Sequence, residues 1–308
     1  MINIAHLSHD YPGIRALADV SFTLETQTIT ALVGPNGAGK TTLMRALCGL
    51  ERPLAGSIEV DGIDVIEEPR RAHERIGYLA DFFGVYEALS VAQCLEYAAA
   101  ANGIRQGLHA RINETAAALG LSTRLTQAAG TLSRGLRQRL AIAQAIIHGP
   151  RVLVLDEPAA GLDPEARHSL AALLRTLQAS GMTLLVSSHI LAELEQYATH
   201  MLILEAGRLR EFRALAPAAR DARTLVVELA ADAPTAAHLL AAQPGVAQVT
   251  QRDHQLLFEF TGDAHAQAAL LHALVTQGLP VTSLAPARAD LQQLYLDTLQ
   301  TRGASYES

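Results

Sequence analysis

The chain has 308 residues and a formal net charge of −7, with 31 acidic against 24 basic side chains, a balance that argues against a broad nucleic-acid-binding face. Hydrophobic residues make up 49% of it, yet no apolar run reaches the length of about 18 residues that a bilayer demands. The start, MINIAHLSHDYPG, lacks a basic region followed by an apolar one, so no signal peptide is expected.

The length is that of about two domains, with a division expected into residues 1–216 and 217–308. Residues Ile2 to Glu25 alternate polar and apolar positions in short runs, as antiparallel edge strands do. Ile29 to Val33 is an apolar strand and Leu43 to Cys48 a helix-prone run; between them stands GPNGAGKTT, Gly34 to Thr42. Glu51 to Gly56 reads as a turn, Ser57 to Val60 as a strand, Pro69 to Arg75 as a short helix and Ile76 to Leu79 as a strand. Ser90 is placed to cap a helix that stops at Gly103, and His109 to Leu119 makes a second. These helices open a helical subdomain of about residues 85–150. Ser133 is in position to cap the amphipathic run that ends at Gly149. Val152 to Leu155 is an apolar strand, which implies a parallel sheet covered on both faces, and it ends in Asp156 and Glu157. AAGLDP, Ala159 to Pro164, leads into a helix to about Ser180. The strand Met182 to His189, a helix to about Tyr197 and a hairpin over Met201 to Phe212 turning at Ala206 and Gly207 complete this part.

Composition shifts over Pro217 to Arg223, which reads as a linker. Beyond it the order is β (Thr224 to Leu229), α (Thr235 to Gln243), β (Val246 to Gln251), β (Gln255 to Phe260), α (Ala264 to Gln277), β (Pro280 to Leu284) and a helix from Ala287. That order fits a small ferredoxin-like α+β domain.

The chemistry concentrates in a few places. Gly34 to Thr42 fits the pattern Gly, four residues, Gly, Lys, Ser or Thr, between a strand and a helix. In that setting the backbone of Gly34, Pro35, Asn36, Gly37, Ala38 and Gly39 aims N–H groups at phosphate from a helix start. Lys40 is expected on the β and γ phosphates, the Thr41 hydroxyl on Mg2+, and Thr42 completes the loop. Asp156, at the end of an apolar strand, is placed to hold magnesium as the second acidic element of phosphate-loop NTPases does, and Glu157 to orient or polarise the attacking water. The other reading, that both carboxylates cap the strand, is disfavoured because a buried pair of like charges is costly without a cation. Cys48 and Cys94 lie in apolar helical runs and are expected as buried reduced thiols. Arg137 and Arg139 are read as ordinary salt-bridge formers on a solvated face.

Taken together, the phosphate loop, LSRGLRQRL, VLVLDEP, GLDP and SSH, in that order, resemble the nucleotide-binding subunit of ABC transporters over Ile2 to Phe212. The resemblance implies a phosphate-loop α/β ATPase domain with an antiparallel β subdomain and a helical subdomain. It implies ATP and Mg2+ as the bound groups and a head-to-tail homodimer that sandwiches two ATP. In it Ser133 and Gly135 contact the partner's nucleotide, Asp163 lies in the loop crossing the interface, His189 lies near the γ phosphate, and Tyr11 stacks on adenine. It also implies a separate polytopic membrane subunit and a cytoplasmic chain peripheral to the inner face of the cell membrane. The stretch GYLADFFGVYEALSV and the appended C-terminal domain look like the bacterial export branch, and ADLQQLYLDTLQ resembles the terminal helix of such ATPases.

Two departures stand out. Against the usual Leu-Ser-Gly-Gly-Gln, Arg134 and Leu136 replace a glycine and the glutamine, and Asp81 stands where a magnesium-linked glutamine is common. Asp81 is a further candidate metal ligand, with a solvated loop carboxylate as the other reading, and the loop around Asp81 to Tyr86 is expected to pass motion to a partner helix. An alternative function is a soluble ABC-type ATPase acting on ribosomes or nucleic acid, and the C-terminal domain is open to a regulatory or dimerising role.

Overall fold

A computed structural model of the chain describes residues 1–81, 84–188, 191–194, 196–215, 223–231, 233 and 235–286. It divides into two compact units, the first holding Met1–Ala214 and the second beginning at Leu215.

The first unit begins with a long hairpin rather than short runs: β1 (Ile2–Tyr11) pairs antiparallel with β2 (Ile14–Leu24). Register shifts on β1 interrupt the alternation, with His6 and Asp19 both at positive φ; such bulges blur a strict period of two in sequence. β3 (Ile29–Val33) is buried at every position, as a central parallel strand with both faces covered must be. Its chain turns through the phosphate loop into α1 (Lys40–Leu47), three residues ahead of the expected start. The reason is Gly39, whose left-handed φ of 102° makes it the cap residue and feeds Lys40 straight into the first turn.

β4 (Ala55–Val60) and the short β5 (Ile63–Asp64) complete the antiparallel sheet, in the order β2-β1-β4-β5. After α2 (Pro69–His73) and β6 (Ile76–Leu79) come the helices α3 (Val91–Ala101), α4 (Leu108–Ala118) and α5 (Arg134–Ile146). Ser90 and Gln93 form a reciprocal capping box at α3: the Gln93 N–H donates to Ser90 Oγ at 3.2 Å and the Ser90 N–H to Gln93 Oε1 at 2.8 Å. Cys94 on α3 and Cys48 are free and buried, and burial pushes both thiols up.

β7 (Val152–Leu155), α6 (Pro164–Ala179), β8 (Thr183–Ser187), the one-turn α7 (Leu191–Leu194), β9 (His200–Glu205) and β10 (Arg208–Ala214) follow. They build a six-stranded sheet ordered β10-β9-β3-β8-β7-β6. β9, β3, β8, β7 and β6 run parallel and β10 turns back against β9. The C-termini of the parallel strands therefore share one edge, where open α/β sheets bind their ligands. One apolar cluster joins both sheets through α1, from Ile4 and Leu7 through Leu43, Met44 and Leu47 to Leu32 and Val154.

The second unit follows the βαββαβ order: β11 (Arg223–Leu229), α8 (Ala236–Ala241), β12 (Val246–Arg252), β13 (Gln255–Phe260), α9 (Ala264–Thr276) and β14 (Val281–Pro286). Its antiparallel sheet, ordered β12-β13-β11-β14, has the ferredoxin-like arrangement and a core of its own that includes Leu225, Phe258 and Leu274. The helix expected from Ala287 and the ADLQQLYLDTLQ segment lie outside the described residues.

Leu47 is fully buried where α1 meets both sheets. Leu47→Ala is expected to lower the stability of the first unit by about 2–5 kcal/mol, read as a drop in its urea or thermal midpoint.

Candidate functional site

At the edge where the parallel strands end, β3 delivers the phosphate loop. Gly34 is there for closeness: a Cβ on it would lie 2.2 Å from the Leu204 carbonyl oxygen of β9. At Gly39 a Cβ would meet the Ala16 carbonyl oxygen at 2.5 Å, so β9 and β2 grip the loop from two sides. The hairpin turn adds a third hold, since the Gly207 N–H donates to the Ala38 carbonyl at 3.0 Å and the Ala18 N–H to the Gly207 carbonyl at 2.8 Å. Pro35, Asn36 and Gly37 remain exposed at the tip. Lys40 is buried, and its ammonium donates to the Gly34 carbonyl at 2.7 Å and the Pro35 carbonyl at 3.3 Å. Both acceptors are neutral, so they leave the charge of the ammonium uncompensated at a helix N-terminus, an arrangement that suits an anion. Thr41 is exposed on the first turn of α1 and Thr42 is buried.

Two strands away, β7 ends in Asp156 and Glu157, and the neighbouring β8 ends in Ser187. The Ser187 hydroxyl donates to Asp156 Oδ1 at 2.6 Å and accepts the Glu157 N–H at 2.9 Å. Asp156 is 2% exposed, and its Oδ2 has no hydrogen-bond partner. A buried carboxylate oxygen left open in this way is costly, and with the Thr41 hydroxyl it supplies the hard oxygen donors that magnesium takes. Glu157 has a left-handed φ of 48°, a conformation that costs a residue with a side chain about 1–3 kcal/mol and gathers at functional sites. Tyr78 on β6 is pushed up to about 12 by burial, then by the charges of Asp156 and Cys48 against Arg45, with a last contribution from Asp81. Asp81 itself is exposed just beyond β6.

Behind Glu157 lies a polar cluster. Glu193 on α7 is buried, accepts from Ser188 Oγ at 3.1 Å and pairs with Arg167 Nε at 3.2 Å. Tyr197 is buried beside it and is pushed far up by burial and by the charges of Glu193 and Glu157. His189 lies outside the described residues.

A second group forms elsewhere. Ser133 caps α5 and accepts the Leu136 N–H at 3.3 Å, while Asp163 caps α6 and accepts the Ala166 N–H at 2.8 Å. A Cβ on Gly135 would lie 3.3 Å from Ala166 Cβ, so the glycine lets the two helix starts approach. Ser133, Gly135, Leu136 and Asp163 line an open cavity of about 340 Å3 to which no residue of the phosphate loop contributes. Tyr11, at the end of β1, is 39% exposed and packs edge-on against His9 with ring centroids 4.7 Å apart.

Sequence reasoning missed Ser187, whose signal was its place in SSH. It also misread Arg139, which donates to the Leu119 carbonyl at 2.9 Å and to Ser169 Oγ at 2.6 Å, tying α5 to its surroundings. Arg137 does face a carboxylate, Glu87, at 3.7 Å on the surface.

Residues 17–160 match the family model described as ABC transporter. The chain is 33% identical to the ABC transporter ATP-binding protein NatA of Bacillus subtilis (strain 168), over 64% of this chain and 80% of that one. The chain belongs to the ABC transporter family. It is an ATP-binding subunit of that family and an ATPase.

Similarity to another ABC transporter ATP-binding protein of the same bacterium, YxlF, is 31% over 96% of this chain and 98% of that one. Similarity to the Nod factor export ATP-binding protein I of Rhizobium johnstonii is 37%, over 67% of each. Among solved structures, an ATP-binding subunit of an ABC transporter superposes at TM-score 0.62 with 31% identity, covering 70% of this chain and 90% of that one. A dimeric post-hydrolysis ABC cassette bound to ADP and Pi shares the fold at TM-score 0.63 and 22% identity, covering 70% of this chain and all of that one.

Ser187→Ala in this ABC ATPase removes one hydrogen bond from Asp156 and one from Glu157. It is expected to lower kcat for ATP hydrolysis about 10- to 100-fold, with KM for ATP changed less than about threefold because the phosphate loop is untouched. Ser187→Thr, which keeps the hydroxyl, should recover most of the rate.

Proposed function

We propose that this ATPase is the motor subunit of an exporter, working as a head-to-tail homodimer beneath a separate polytopic membrane chain. The observation that carries the reading is the convergence, at one sheet edge, of an anion-ready loop, a buried carboxylate with an open oxygen, and a second carboxylate held in a strained conformation. ATP lies with its phosphates along Gly34 to Thr42 and its adenine against the exposed face of Tyr11. The loop N–H groups and Lys40 take the β and γ phosphates. Thr41 and Asp156, with Asp81 as an outer candidate, would hold magnesium, which would supply charge neutralisation at the phosphate oxygens. Glu157 orients a water molecule and accepts its proton as the water oxygen bonds to the γ phosphorus. The bond from that phosphorus to the β–γ bridging oxygen breaks, releasing ADP and inorganic phosphate. His189, which lies outside the described residues, is the candidate for a contact to the γ phosphate.

Ser133, Gly135 and Asp163 belong to the other half of the site. Two capped helix starts around an open cavity, with no phosphate loop of their own, fit an anion presented by a second protomer. Closure of the dimer on ATP and reopening after hydrolysis would pass through the loop at Asp81 to Tyr86 to the membrane chain. Export is supported by the relative named for Nod factor export. Residues 1–216 form the ATP-binding domain in this reading, with a helical subdomain over about residues 85–150, and residues 217–308 an accessory domain. Among the described residues no helix is long and apolar enough to cross a membrane, which fits a chain at the cytoplasmic face that borrows its membrane path from a partner.

Lys40→Ala is expected to abolish ATP hydrolysis, and an unchanged rate would sink the phosphate-loop assignment. Chelation of divalent cations should stop hydrolysis in the unaltered chain and restored magnesium should bring it back. Affinity purification of the tagged chain from mildly solubilised native membranes should recover a stoichiometric polytopic protein; recovery with ribosomes instead would favour the soluble alternative.

A further inference from the structure

The loop between the paired acids and α6 is held from both sides by arginines. On one side the Arg134 guanidinium, from the first turn of α5, donates from Nη2 to the Ala160 carbonyl at 3.0 Å. It lies flat over Gly161, close enough that a Cβ there would come within 2.4 Å of Nη2, so the seat exists only because residue 161 is glycine. On the other side Arg167 Nε donates to the Leu162 carbonyl at 2.8 Å and pairs with the buried Glu193 at 3.2 Å. Two carbonyls in one short loop are therefore bound by guanidinium groups anchored on different helices. The loop ends at Asp163, which caps α6 beside Ser133 and Gly135.

From this geometry we propose that Arg134 is a positioning residue: it fixes the loop 159–163 to the start of α5, so that Asp163, Ser133 and Gly135 present one rigid surface to the second protomer's nucleotide. The inference rests on the sandwich-dimer reading above. A glycine at position 134 would leave the α5 turn and the loop free to move apart, and ordering them would then cost entropy at the moment of closure. Arg134 provides that order beforehand. Arg167, anchored on Glu193 and through it on Ser188, extends the same body toward the hydrolytic carboxylate.

The test uses the full chain in two measurements. In the first, hydrogen exchange across residues 159–163 is followed in the nucleotide-free monomer; Arg134→Ala should speed it several-fold, and Arg134→Lys, which keeps one donor, should speed it less. In the second, Glu157→Gln is the parent and ATP-dependent dimerisation is read by analytical ultracentrifugation. Adding Arg134→Ala should raise the ATP concentration at half dimerisation about fivefold, while the monomer's affinity for a fluorescent ATP analogue and its thermal midpoint stay as in the parent. A parent dimer that Arg134→Ala leaves untouched overturns the proposal alone. Weakened dimerisation with unchanged exchange across 159–163 also overturns it, and assigns Arg134 to direct contact with phosphate. A parent that forms no dimer with ATP overturns the sandwich reading and this proposal with it.

Discussion

The sheet edge that carries Asp156 and Glu157 depends on one serine hydroxyl. Asp156 and Glu157 are neighbours in sequence, and at the end of an extended strand consecutive side chains point to opposite faces. Ser187, on the adjacent parallel strand, resolves the conflict by donating to Asp156 Oδ1 and accepting the Glu157 N–H. The two bonds fix the Asp156 side chain and the Glu157 backbone against each other, with Glu157 in a left-handed conformation that no local preference would select. The strain persists because β7 and β8 are locked in register by fully buried pairs such as Leu155 with Val186. The apolar strands thus hold in place a geometry that the polar residues alone would not adopt.

The phosphate loop obeys the same logic with backbone in place of side chains. Its glycines are defined by what presses on them, β9 at Gly34 and β2 at Gly39, and the hairpin turn at Gly207 bonds both to the loop and to β2. The antiparallel sheet therefore does more than flank the nucleotide site. Through Ala16 and Ala18 it buttresses the loop that is expected to wrap the phosphates, and the same sheet carries Tyr11, the residue proposed to face the base.

What could be read from the sequence followed from local cause. The apolar run at Val152 to Leu155 named a strand of a covered parallel sheet because burial on both faces leaves no room for alternation, and the run at Ile29 to Val33 named a strand. Ser90 and Ser133 are caps whose partners lie three residues away. Residues whose role depends on a distant partner were less legible. Arg139 looked like a surface charge, yet its acceptors are a carbonyl twenty residues upstream and a serine thirty residues downstream. The bulges in β1 hid a ten-residue strand. Ser187 was visible in SSH, but its function needed the strand pairing that sets it beside Asp156.

The two groups of polar residues in the first unit differ in kind. The group at the strand ends has the carboxylates and the lysine. The group at the starts of α5 and α6 has capped helix termini and a small residue at the point of closest approach, and its cavity holds no part of the phosphate loop. A backbone that brings two helix N-termini together concentrates positive potential there, and such potential is stabilised by an anion. If that anion comes from a second chain in head-to-tail arrangement, the two groups face each other across the interface, and hydrolysis becomes conditional on assembly. The arginines bound to the Ala160 and Leu162 carbonyls then lie on the covalent path between the groups, since the loop they hold runs from Glu157 to Asp163. Holding that loop stiff would let closure at one group be felt at the other, as the proposed coupling of ATP hydrolysis to movement would require.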